Sequence, residues 1–61
     1  MINDATLFNY IIALCVAIND NDKKTCVQIC KALNKLKMDN ATIYTLLKPA
    51  TAKKLYAILN N

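Results

Sequence analysis

Apolar residues recur at helical spacing along most of the chain. Leu7, Ile11, Leu14 and Ile18 lie three or four positions apart, the signature of one face of an α-helix. Phe8, Ile12, Cys15 and Val16 widen this stripe to most of the circumference. The spacing predicts a helix over about residues 4–18, with Asn3 or Asp4 as its cap. A helix that is apolar nearly all round must be surrounded, either by its own fold or by another chain. Asn19-Asp20-Asn21-Asp22 breaks the pattern and supplies a new N-cap. A second helix is expected over residues 23–36, with Cys26, Ile29, Cys30, Leu33 and Leu36 toward the core and Lys24, Gln28, Lys31 and Lys35 on the opposite face. Asp39-Asn40 caps a short third helix over residues 41–47, anchored by Ile43, Tyr44 and Leu47. Lys48-Pro49 ends it, because the residue before proline is pushed out of the helical region. Pro49, preorganised for a first turn, opens a fourth helix over residues 50–59 that buries Ala52, Leu55, Tyr56 and Leu59. The fold class is therefore all-α: one domain over residues 1–61, a small bundle of three to four short helices.

Length and composition restrict what such a bundle can do. A chain of 61 residues buries only about 60% of the surface it exposes when unfolded, and it has no room for a dinucleotide-binding unit or a barrel. Its hydrophobic fraction of 56% is too high for a disordered chain. His, Glu, Arg, Ser, Gly and Trp are absent. Acid–base and nucleophilic catalysis draw on His, Glu or an activated Ser or Cys, and a Cys nucleophile here has no His beside it. Without Gly there is no phosphate-cradling loop. These absences point away from an enzyme, with no catalytic residue and no cofactor expected.

The thiols are Cys15, Cys26 and Cys30. An odd number in a short chain does not read as a disulfide framework. Structural zinc calls for four Cys or His ligands in tight knuckles, so no metal is expected. Small, buried, reduced core residues are the simpler reading, one that suits a reducing cytoplasm. The apolar run of residues 7–18 is interrupted only by Asn9 and is shorter than the about 20 residues a membrane span requires. The start, Met1-Ile2-Asn3-Asp4, carries an acid where a signal peptide carries basic residues. No integral membrane segment is expected, and the expected location is the cytoplasm.

The charges are eight Lys against four Asp, a net +4. All four Asp are expected at or just before helix starts, where carboxylates satisfy free N–H groups and the positive end of the helix dipole. That leaves the lysines free to meet an acidic partner. The richness in Lys, Asn and Ile is what an AT-rich genome tends to encode, and the small non-catalytic chain fits the style of a phage or mobile-element accessory protein. Within residues 32–48, Leu36, Met38, Asp39, Thr42, Ile43, Tyr44 and Leu47 form a pattern that resembles the second half of a resolvase-type helix-turn-helix. Lys37 stands at the turn position where glycine is usual, and there is no Arg for guanine contacts. The resemblance implies a DNA-binding regulator acting as a dimer. Asn40, Thr42, Thr45 and Lys48 would face the major groove, and Lys24, Lys31, Lys35, Lys53 and Lys54 would meet phosphates.

The favoured expectation is a non-catalytic protein–protein interaction module, a small regulator or inhibitor that occupies the surface of another, acidic protein through Lys24, Gln28, Lys31, Lys35, Lys53 and Lys54. The DNA-binding reading is the alternative. Self-association to a homodimer is expected through Phe8, Tyr10, Ile12 and Val16, because the remaining helices can cover the first one fully only if it lies at the centre of the bundle.

Overall fold

The computed structural model of the chain describes residues 3–61, so the Met1-Ile2 start lies outside the described residues. These fold into four helices: α1 (Asp4–Asn19), α2 (Lys23–Lys35), α3 (Asn40–Thr45) and α4 (Pro49–Leu59). The all-α expectation holds, and the boundaries agree closely except for α3, which stops at Thr45 rather than at residue 47.

Three of the four helices begin on a side-chain cap. Asn3 Oδ1 accepts from the Thr6 N–H (2.8 Å). Asp22 accepts from both the N–H (3.1 Å) and the hydroxyl (2.6 Å) of Thr25, and Asp39 accepts from the Thr42 N–H (2.8 Å). Each satisfies a donor that the first turn leaves without a partner. α4 instead starts with Pro49, after an extended Lys48. Asp20 departs from the expected rule: it is the C-cap of α1, not a helix start.

α1 and α2 end in the same way. The Asp22 N–H donates to Ala17 O (2.9 Å) and the Asn21 N–H to Ile18 O (3.1 Å); the Met38 N–H donates to Leu33 O (3.1 Å) and the Lys37 N–H to Asn34 O (3.1 Å). These paired bonds are Schellman closures, which require a left-handed residue after the cap. In a chain without glycine, that position falls to Asn21 (φ 55°) and Lys37 (φ 71°). Asp22 both completes the end of α1 and caps α2, so the two helices are joined by residues 20–22 alone.

α1 packs on α2 and α4, and α3 packs on α2 and α4. The core comprises Leu14, Ala17 and Ile18 of α1, Cys26, Cys30 and Leu33 of α2, Ile43 and Leu47 from α3 and the turn after it, and Leu55 of α4. Two residues expected inside are exposed. Leu36 sits beyond the last turn of α2, where the chain swings away at Lys37, and Met38 packs against the core instead. Tyr56 is 59% exposed. Its ring meets Tyr44 obliquely, with centroids 6.1 Å apart and planes at 59°, which leaves the phenol wet while the ring covers a neighbour.

Two stability predictions follow from the helix ends. Lys37→Gly should stabilise the fold by about 0.5–1 kcal/mol in urea denaturation, because a side chain costs energy at a left-handed position; Asn21→Gly should gain less, since Asn tolerates that region. Asp22 and Asp39 are held below the ordinary carboxylate range. For Asp22 the Thr25 hydroxyl is the larger cause and the Thr25 N–H the next; for Asp39 the Thr42 N–H leads. A lowered folded-state pKa means stability that is present above the unfolded value and lost as pH falls through the folded one. The melting temperature should therefore hold at neutral pH and fall below pH about 4. An Asp22→Ala/Asp39→Ala variant should start lower and show a shallower acid decline.

Candidate functional site

α1 is apolar on two sides of its axis, and its neighbours cover only one. Leu14, Ala17 and Ile18 are buried, with Leu7, Tyr10 and Ile11 packed partly against the core. Phe8, Ile12 and Val16 remain 64%, 47% and 57% exposed. Spaced by four residues, they form one ridge about 12 Å long. α1 therefore lies at the edge of the bundle rather than at its centre. Tyr10, grouped with these three by sequence, is half-buried and turns away from the ridge, beside a hollow lined by Thr6, Asn9 and Ala13. Leu46 extends the apolar surface. It is 46% exposed and closes an open groove of about 320 Å³ against Asp4, Leu7, Phe8 and Ile11. Leu46 was not singled out by the periodicity; the signal was the adjacent pair Leu46-Leu47, of which only one can point into the core.

The expected lysine face is present on α2. Lys24, Gln28, Lys31 and Lys35 are all exposed, and their spacing confines them to one stripe about 17 Å long. Opposite it, Cys26, Cys30 and Leu33 are buried. Lys53 and Lys54 are exposed on α4. Lys54 overhangs a cleft of about 240 Å³ formed with Cys15, Ile18, Asn19, Ala50 and Thr51, beside the C-terminal half of α1. At the other end of α4, the Lys23 ammonium on α2 donates to the Asn61 carbonyl.

Asn40, Thr42, Thr45 and Lys48 are exposed on α3 and the turn after it, but part of their bonding capacity is already used. Asn34 Nδ2 donates to Met38 O (2.8 Å) and to Asn40 Oδ1 (3.1 Å), strapping the α2–α3 turn. The Thr45 hydroxyl donates to Thr42 O (2.6 Å). α3 has six residues, about 9 Å of helix, and the Asp39 carboxylate caps its start. The Asp39 carboxylate thus occupies the N-terminal end of a short helix, the end from which a recognition helix contacts base edges.

Cys26 and Cys30 are buried, whereas Cys15 is only half-buried at the α1–α4 cleft, so one of the three thiols departs from the expected burial. Burial pushes the Cys26 and Cys30 thiols upward; the Asp22 carboxylate adds to the first shift and Cys26 to the second. Burial likewise raises the Tyr44 phenol, with Cys30 and Tyr56 as lesser causes. Among the described residues, no three Cys or Asp side chains converge on a point where a metal ion could sit, and no helix is long and apolar enough to cross a membrane.

Comparison with protein-family models, with curated proteins and with solved structures gives no match.

The thiol environments predict an order of reactivity. Iodoacetamide at neutral pH should label Cys15 first and leave Cys26 and Cys30 unmodified until the chain unfolds, as read by mass spectrometry. Cys26→Ala and Cys30→Ala should each cost about 1–2 kcal/mol through lost packing. Labelling of all three at one rate in folded protein would contradict this assignment.

Proposed function

We propose that the chain is a non-catalytic interaction module, a small regulator or inhibitor that acts by occupying the surface of an acidic protein. The observation that supports it is the α2 stripe: Lys24, Lys31 and Lys35, exposed, of one sign, and displayed on a helix whose opposite face is fixed in the core. A rigid cationic stripe steers an acidic partner into register and speeds encounter. Its support is independent of chemistry at any single residue, which suits a chain lacking the usual catalytic side chains. α4 adds Lys53 and Lys54 as further cationic groups. A second copy, docked through α1, is the other partner in this reading, and the protein works in the cytoplasm.

DNA is the competing target. The engaged Asn40 and Thr45 groups and the Asp39 carboxylate at the start of α3 favour a protein over the major groove. Lysine–phosphate contacts alone would supply affinity without sequence reading.

Immobilised chain should retain a protein from an extract of the cells that produce it and release it as salt is raised. A Lys24→Glu/Lys31→Glu/Lys35→Glu variant with an unchanged circular dichroism spectrum should lose that retention by at least about tenfold, given the coupling typical of complementary interface charges. In parallel, labelled duplex DNA should bind negligibly at physiological salt. Tight, steeply salt-dependent DNA binding that Thr42→Ala and Lys48→Ala weaken would overturn the protein reading.

A further inference from the structure

We propose that the outer face of α1 is a homodimer interface in which two copies of α1 pack antiparallel about a two-fold axis at Ile12. This deepens the interaction-module reading by fixing its second partner, and it rests on a face separate from the α2 lysine stripe.

Three observations carry it. The first is shape. The ridge runs Phe8, Ile12, Val16, from large to small, with all three side chains about half exposed or more. Antiparallel pairing sets Phe8 of each copy against Val16 of the other and Ile12 against Ile12, which keeps the helix separation even along the ridge. Parallel pairing would set Phe8 on Phe8 at one end and Val16 on Val16 at the other, splaying the helices. Alongside the ridge, Ala5, Asn9 and Ala13 are exposed and compact, so a facing side chain has shallow ground to enter.

The second is charge. All eight lysines lie at residue 23 or later, and α1 carries no charged side chain between Asp4 and its C-cap Asp20. Two +4 chains repel wherever their lysine faces meet. Along the α1 ridge they touch without burying a charge, and burying an unpaired charge is what most strongly opposes association. An anionic lipid surface, by contrast, is held by Lys and Arg placed around the apolar ridge, and α1 has none.

The third is complementarity at the flanks. Asp4 borders the groove formed with Leu7, Phe8 and Ile11 at the start of α1. Lys54 borders the cleft formed with Cys15, Ile18 and Asn19 at its other end. Leu7, Ile11, Cys15 and Ile18 mark the same flank of the ridge. A two-fold axis perpendicular to two antiparallel helices brings the same flank of each copy together, end to opposite end. Asp4 of each copy then faces Lys54 of the other, giving two equivalent solvent-exposed ion pairs. Only the antiparallel arrangement does this; a parallel pair would leave Asp4 level with the partner's Asp4 on opposite flanks, away from either Lys54.

A ridge of three side chains with one groove beside it is a small interface, so a dimer of micromolar class or weaker, populated by mass action, is expected. Sedimentation equilibrium of the full chain from 10 μM to 1 mM, over about the concentration range that such a weak interface requires, tests it. The apparent mass should rise from 6.8 kDa toward twice that value. Ile12→Asp, which sets two like charges against each other at the axis, should hold the mass at 6.8 kDa throughout. Lys54→Glu should weaken dimerisation roughly three- to tenfold, the effect of two exposed ion pairs, and Asp4→Lys added to it should restore the wild-type midpoint. Thermal melts by circular dichroism verify that each variant folds, and Val16→Asp serves in place of Ile12→Asp if that variant does not. A wild-type mass that stays at 6.8 kDa overturns the second copy as occupant. A dimer that survives Ile12→Asp places the interface elsewhere. A dimer that Ile12→Asp abolishes, but that Lys54→Glu does not weaken or Asp4→Lys added to Lys54→Glu does not restore, overturns the antiparallel arrangement. The lysine-stripe reading stands or falls separately, on retention by the α2 variant, whose substitutions leave α1 intact.

Discussion

Coverage of α1 is the constraint from which the rest of the structure follows. α1 has sixteen residues and apolar side chains on two sides of its axis. Among the described helices only α2 and α4 pack directly on it, and each brings a single apolar face. They cover Leu14, Ala17 and Ile18 and leave Phe8, Ile12 and Val16 in water. A contiguous apolar ridge on so small a chain is uncommon on an isolated soluble monomer. The core is correspondingly lopsided, with its fully buried side chains gathered where α1, α2 and α4 meet and Ile43 and Leu47 sealing one side. Small domains are marginal because so little surface is removed from water, so a second layer over α1 would add burial where it is scarcest.

Short connections make this packing achievable in so few residues. α1 and α2 are closed by paired backbone bonds into the preceding turn, at Asn21 and Lys37. The left-handed conformation that this closure demands is ordinarily supplied by glycine. Here Asn21 accepts it with little strain and Lys37 with more. Asp22 ends one helix and begins the next, and the Asn34 side chain binds both Met38 O and Asn40 Oδ1. The second of these straps orients α3, so that Ile43 and Tyr44 face inward while Leu46 turns toward the start of α1.

The outside of the bundle separates into two kinds of surface. α2 presents a single-sign stripe, and α1 presents a ridge without charge. The separation follows the chain: residues before 23 hold no lysine, and residues from 23 onward hold all of them. Electrostatic attraction therefore acts over one region and apolar contact over another, with Lys54 at the boundary. Long-range charge steers an encounter and short-range apolar contact holds it, and here the two lie on different helices.

The helices were legible in the sequence because their signals are local. Periodic apolar residues, the Asp22 and Asp39 caps and Pro49 each act within one turn of themselves, and they located α1, α2 and α4 to within a residue or two. The lysine stripe was legible for the same reason: Lys24, Gln28, Lys31 and Lys35 share a face by spacing alone. The outward face of α1 was legible in part, since Phe8, Ile12 and Val16 were expected there together with Tyr10; what the sequence left open was whether α1 would lie at the centre of the bundle, with that face covered, or at its edge. Tyr10 went with the buried side and Phe8, Ile12 and Val16 with the exposed one only when α2 and α4 docked. Asp20 looked like a helix start and became a helix end, because the closing bonds of α1 are donated by the two residues after it, Asn21 and Asp22. Tyr56 and Leu36 matched a buried periodicity and remained outside: Leu36 falls beyond the last turn of α2, and Tyr56 only leans its ring obliquely on Tyr44. Local bonding along the chain decided where helices begin and end. Burial depends on which other surfaces arrive, and that was decided only when the four helices met.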